Sequence, residues 1–198
     1  YDKNNVPQAV GVGVFARAFM DHFPLLPTEE EGRLHDPLLR ENFIEQIFVY
    51  QRWREVADSP TAAKLVDFHT THKLLLLSHS EKHTREMGRL MAQAGSLDLD
   101  VFIERYQELL MAAMRLKPTV RKHVNVLQHI MGYFKKQLSG DEKQELLEVF
   151  DQYSKGLVPL IVPITLINHY VRKYDQPYLE QQTYLTPHPV DLKLRNHV

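Results

Sequence analysis

From Leu38 onward, apolar residues recur at spacings of three and four, and no segment alternates at a period of two. A chain written this way buries stripes of helices and not faces of sheets, so an all-α fold is predicted: a single multi-helix globular domain of about seven helices behind an irregular N-terminal segment. Stop and start signals divide it. The first helix spans Leu38 to Val56, and Pro60 opens a second that reaches Ser78. Ser80 caps a third, which ends at Gly95, and a fourth runs from Leu97 to Arg115. The fifth follows Pro118 and continues to Leu138, and Ser139-Gly140-Asp141-Glu142 begins an acidic sixth that ends near Gly156. Proline fits a first turn but not a helix interior, so the seventh starts near Pro163 and runs to Tyr174, with a short helix from Gln176. The chain then becomes an extended coil, Thr186-Pro-His-Pro, expected to pack across the helices through Leu192 and Leu194.

The first 37 residues have another character, with Gly11, Gly13, Pro7, Pro24, Pro27 and the acidic run Glu29 to Glu31. Val12, Val14, Phe15, Phe19, Phe23, Leu25 and Leu26 are too many apolar groups for a free linker and call for a partner surface.

Composition narrows the function classes. With 198 residues, 43% apolar and 25% charged, the chain is an ordinary globular sequence, and its longest apolar runs fall far short of the roughly 20 residues that span a bilayer. No membrane association is expected. Tyr1 is followed by Asp, Lys and two Asn, so no secretory signal is read and the cytoplasm is the expected location; the absent initiator Met suggests a processed or truncated chain. The lack of cysteine excludes disulfides, thiolate zinc sites, iron–sulfur ligation and thiol nucleophiles within this chain. There is no GxSxG elbow and no phosphate loop, and Gly11-Val-Gly13 is a bare fragment of a dinucleotide fingerprint.

The fifth helix carries the strongest local field. Arg115 to Leu138 holds Arg115, Lys117, Arg121, Lys122, Lys135 and Lys136 without a carboxylate, in a chain of net charge −1. Val120, Val124, Leu127, Met131, Phe134 and Leu138 form its apolar stripe, and His123 falls on the apolar side as a core histidine. The opposite arc collects Arg121, Lys122, Asn125, Gln128, His129, Gly132, Lys135 and Lys136, a set able to hold phosphate; the alternative is a solvated helix face.

The second helix places His69, His72 and His79 among Leu65, Phe68 and Leu76, pointing inward. His69 and His72 are spaced to share one metal, but His79 lies about 10 Å further along the axis, so one site cannot use all three. HExxH is absent, and histidines bonded to carbonyls or to one another are the plainer reading.

Four strings together, LVDFHTTHKLLLLSHS (65–80), KHVNVLQHIMGYFKKQLS (122–139), GLVPLIVPITLINHYVRKY (156–174) and YLTPHPVDLKLRNH (184–197), resemble the YbgA-like domain, a family of unknown function, over residues 56–198. Residues 1–55 differ, and VGVGVFARAFMDHFPLLPTEEEGRLHDPLLRENFIE resembles the C-terminal end of a thiouracil desulfurase domain, followed by a linking helix. The resemblance implies a two-part protein in which a cysteine-ligated iron–sulfur domain desulfurates thiolated uracil and the helical part helps recognise thiouridine-containing tRNA. This cysteine-free chain is then a non-catalytic accessory module without a cofactor, the cluster belonging to a desulfurase domain joined in cis. The expected partner is tRNA or another structured RNA, with no DNA specificity. Arg121, Lys122, Asn125, Gln128, His129, Lys135 and Lys136 form the main expected RNA surface, and Arg85, Arg172, Lys173 and Arg195 are secondary. Two rival readings stand beside it: an enzyme built around His69, His72, His79 and His129, with a possible metal on His69 and His72, and a structural or partner-docking domain.

Overall fold

A computed structural model describes residues 13–189 and 192–197. The readings placed on Gly11 and Val12 lie outside the described residues. Among those described the chain is all-α: α1 Val14–His22, α2 Pro37–Ala57, α3 Ala62–His79, α4 Glu81–Ala92, α5 Leu99–Met114, α6 Val120–Met131, α7 Gly140–Ser154, α8 Ile161–Lys173 and α9 Pro177–Glu180. Short 3-10 turns at Glu31–His35 and Gly132–Phe134 precede α2 and follow α6.

Short polar side chains set the starts of most of these helices. Asp36 accepts from the amides of Leu38 and Leu39, with Pro37 in the first turn of α2, and Thr61, Ser80, Asp98 and Thr119 cap α3 to α6 in the same way. Ser139 and Glu142 close a reciprocal capping box on α7. The buried stripes then meet. α3 is central, packing against α2, α4, α5 and α6, and Leu74, Leu75 and Leu76 are all fully buried on it. Trp53 of α2 stacks on Tyr106 of α5, with ring centroids 4.6 Å apart, and donates its indole N–H to Gln107. The layer continues from α6 through α7 to α8.

Four local expectations need correction. The N-terminal segment is not wholly irregular, because Val14–His22 forms a helix that buries none of its own residues. The basic helix stops at Met131 and not at Leu138. Its last turn tightens to a 3-10 turn, which keeps Phe134 fully buried while Lys135 and Lys136 leave the helix and face solvent. α8 begins at Ile161, two residues before the expected Pro163, which still sits in the first turn where its missing N–H costs nothing. In the C-terminal coil Leu194 is buried as expected, but Leu192 is exposed.

Candidate nucleic-acid interface

α6 presents Arg121, Asn125, Gln128 and His129 on one exposed face, with His123, Val126, Leu127 and Ile130 buried on the other. The face carries on past the helix end through Tyr133, Lys135 and Lys136, all exposed. Arg121, Lys135 and Lys136 form no ion pair among the described residues, and the same holds for the exposed Arg172 at the end of α8. Hydrogen bonds join these elements: Gln137 Nε2 donates to the Tyr174 carbonyl (3.2 Å), and Gln176 Nε2 donates to Gln137 Oε1 (2.6 Å). The ends of α6 and α8 and the start of α9 therefore meet at one edge of the bundle. Uncompensated cations at helix C-termini are favoured by the backbone dipole and stay available to an anionic partner.

Four residues expected on this surface are committed elsewhere. Arg195, read as a secondary RNA contact, is only 4% exposed and lies in an ionic cluster described below. Lys122 is half-buried, and its ammonium donates to the carbonyls of His79 (2.6 Å) and Lys117 (3.4 Å), closing the C-terminus of α3. Lys173 is paired with Glu142 at 2.5 Å, and Arg85 with Glu81 one turn before it. Lys122→Ala should therefore cost about 1–3 kcal/mol, since hydrogen bonds to a charged donor are lost. Lys135→Ala and Lys136→Ala should stay within about 0.5 kcal/mol, as ordinary surface changes do. Urea titrations of the three variants check this contrast.

The histidines of α3 lie where their spacing put them. His72 is buried, with Nδ1–H donating to the Phe68 carbonyl (2.8 Å). Burial lowers its pKa to about 4, so the ring is neutral, and Nε2 has no protein partner. His69 is half-buried and bonds the Tyr106 hydroxyl through Nδ1 (2.9 Å). The described residues bring no carboxylate to this pair, so it forms no three-donor metal group. His83 bonds the Ser80 hydroxyl at 2.7 Å, within its own capping turn.

What spacing did not disclose is a buried charge cluster joining α2, α3 and the C-terminal coil. Glu45 accepts from Arg195 Nη2 (2.9 Å) and from His79 Nε2 (3.2 Å), and His79 Nδ1 bonds the Leu116 carbonyl (2.9 Å). Both nitrogens of His79 thus face oxygen atoms, which fixes the ring between α2 and the turn after α5. Glu41 lies 3.3 Å from Arg195 Nε and 3.3 Å from His197 Nε2. Arg195 Nη1 donates to the Tyr184 carbonyl (2.7 Å), and the Tyr184 hydroxyl bonds His123 Nδ1 (3.0 Å). Burial alone would raise the carboxyl pKa of Glu45, but the His79 hydrogen bond and the Arg195 charge overcome it and hold it well down. Burial, reinforced by the Glu45 charge, pushes Glu41 up.

Ligand atoms of Glu41, Glu45 and His188 lie within 4.8 Å of one another, a separation compatible with a shared cation. Yet every carboxylate oxygen of the pair already lies within 3.3 Å of a nitrogen of Arg195, His79 or His197, as hydrogen bonds at Glu45 and as ion-pair distances at Glu41, where Arg195 Nε makes no hydrogen bond. The guanidinium is the cation of this cluster. Its product is structural: it ties the last residues of the chain to α2 and α3.

Comparison with known proteins agrees with the helical strings. Residues 73–189 match the family described as "Protein of unknown function (DUF1722)". The chain belongs to this family. It is also 31% identical over 137 residues to "Uncharacterized protein YbgA" of Escherichia coli (strain K12), an alignment covering 69% of this chain and 81% of that protein. No solved structure matches the chain. Within the matched 73–189 segment lie α6, the 3-10 turn after it, α8 and α9, which carry the exposed basic edge. Among the described residues no helix is long and apolar enough to cross a membrane.

Proposed function

We propose that this domain binds RNA, tRNA in the first place, through the edge formed by α6, the turn after it and the end of α8. The supporting observation is that Lys135, Lys136 and Arg172 stand exposed after α6 and at the end of α8, with Arg121 at the start of the exposed face of α6, and none of the four forms an ion pair among the described residues. Exposed cations without carboxylate partners, spaced along one helix face and past its end, are what a polyphosphate backbone recruits. Asn125, Gln128 and His129 stand exposed among them and supply groups for base edges or ribose hydroxyls.

In this reading the domain is an accessory module to a thiouridine desulfurase, which would supply the iron–sulfur chemistry that a cysteine-free chain lacks. α1 offers the face for such a partner in cis. Phe15 is 84% exposed among the described residues, and with Ala16, Phe19 and Met20 it borders a cavity of about 640 Å³.

The Arg121→Ala/Lys135→Ala/Lys136→Ala variant tests the RNA surface. Each lost phosphate contact should flatten the dependence of log affinity on log salt by about 0.7–0.9, so the slope should drop by about 2 to 3 while the fold is retained. Anisotropy titrations with tRNA at several salt concentrations read it. An unchanged slope and affinity would leave the face merely solvated.

A further inference from the structure

The exposed edge carries an aromatic group that the core does not use. Tyr133 and Phe134 are neighbours in the 3-10 turn, about 120° apart around its axis, and they meet different surroundings: Phe134 is fully buried, whereas Tyr133 is 40% exposed. Tyr133 is not loose. Its ring stacks on Tyr178 of α9, with centroids 5.1 Å apart and planes 20° from parallel, and the exposed His129 meets its ring edge-on at 5.7 Å. The plane of an exposed aromatic is thus fixed in advance, which lowers the entropy lost when a second flat group settles against it.

Polar groups around this ring are arranged for a nucleotide. Lys135 and Lys136 follow Tyr133 by two and three residues and have no ion pair among the described residues; Gln128 and Asn125 are exposed on α6, about one and a half and two turns before it. Gly132, in the middle, leaves the backbone bare where a Cβ would meet nothing within 4 Å, so packing does not account for its lack of a side chain. An exposed ring held in a fixed plane, with exposed amide and ammonium side chains in the residues before and after it, suits a base with its phosphates. A paired base in an A-form helix is already stacked and hides its edges in a deep, narrow groove, so it has no use for such a platform. An unpaired base does.

We infer that Tyr133, backed by Tyr178 and edged by His129, is a stacking platform for an unpaired base, so that the RNA this edge takes is a single-stranded or looped segment and not a helical one. This rests on the RNA-binding reading above and adds the class of RNA to it. Ring stacking is tolerant of base identity; Gln128 and Asn125 are the groups placed to discriminate among bases.

The test uses the whole chain without an affinity tag. An oligouridylate, and the same strand annealed to oligoadenylate, are titrated at fixed salt against the parent, Tyr133→Ala and Tyr133→Phe. The single strand should bind more tightly than the duplex. Tyr133→Ala should weaken single-strand binding by about five- to a hundredfold, the range that base–aromatic stacking spans, without changing the salt slope. Tyr133→Phe, which keeps the ring, should bind as the parent does. Equal or tighter binding of the duplex, or an unaffected Tyr133→Ala, overturns the platform while leaving the basic edge an RNA surface. If neither RNA binds at any salt, the RNA-binding reading fails and the platform with it.

Discussion

Arg195→Ala should destabilise the fold by about 3–5 kcal/mol, the cost of leaving the buried Glu45 carboxylate without its cation. The side chain is held by Glu45 and by the Tyr184 carbonyl, and Glu41 lies beside it. Removing it strands two acids whose neighbours are His79, His188 and His197, and only His79 makes a strong bond to either. The loss extends beyond charge. The Arg195 carbonyl accepts from the amide of Ile161 at the start of α8, so the anchored residue also holds the C-terminal coil against that helix. Denaturant unfolding should show a lower midpoint, and limited proteolysis should cut first after about residue 185. Exchanging Arg195 and Glu45 together for apolar residues should cost less than the single change, because no unpaired charge is then left in a dry site. A single variant within about 1 kcal/mol of the parent would mean that water reaches and compensates this cluster.

Stability should peak near pH 6.5 and fall on both sides. Burial lowers His72 to about 4 and His123 to about 3, the Arg195 charge adding to the effect at His123. As pH falls below the ordinary histidine value near 6.5, the unfolded chain takes up protons at both rings and the folded chain does not, so stability is lost at about 1.4 kcal/mol per pH unit for each. His69, His188 and His197 are also lowered, chiefly by burial, and act in the same sense. Glu41 works against them. Its pKa, raised from 4.5 to about 8, lets the folded state keep a proton that the unfolded state has released, so its contribution is fully present below about pH 4.5 and is lost progressively as pH rises to about 8. The net acid limb between pH 6.5 and about 4.5 is therefore a loss of about 1–4 kcal/mol per unit. Urea titrations across this range measure it, and His72→Gln, which cannot titrate, should reduce the slope by about 1.4 kcal/mol per unit. A flat profile would contradict the burial of these rings.

Helix boundaries and long-range contacts differ in how far sequence reaches them. Helix succession was legible because each junction carries its own chemistry, as Ser80, Thr119 and the Ser139–Glu142 box show. The exposed arc of α6 was legible for the same reason: Arg121, Asn125, Gln128 and His129 follow from a period of 3.6 alone. Where the helix tightens after Met131 the period fails, and the placement of Lys135 and Lys136 follows the 3-10 turn instead. Tyr178 as the partner of Tyr133 comes from a separate helix 45 residues on, and no local rule links them.

The buried cluster escaped for a similar reason. Glu45 and Arg195 are 150 residues apart, and an arginine in an extended tail reads as solvated. One local signal was present: Glu41 and Glu45 precede Val49 and Trp53 at intervals of four, which places both carboxylates on the stripe that α2 buries. Acids in line with a tryptophan that is fully buried call for a cation from somewhere in the fold.

The central claim, that RNA lies along the edge from Arg121 to Lys136, is tested most directly by ultraviolet cross-linking of bound tRNA followed by mass spectrometry of the adducted peptides. Adducts are expected on the peptides carrying His129, Tyr133 and Tyr178, and should fade as salt is raised. Adducts confined to α2 to α5, or none under conditions where tRNA is bound, would contradict it.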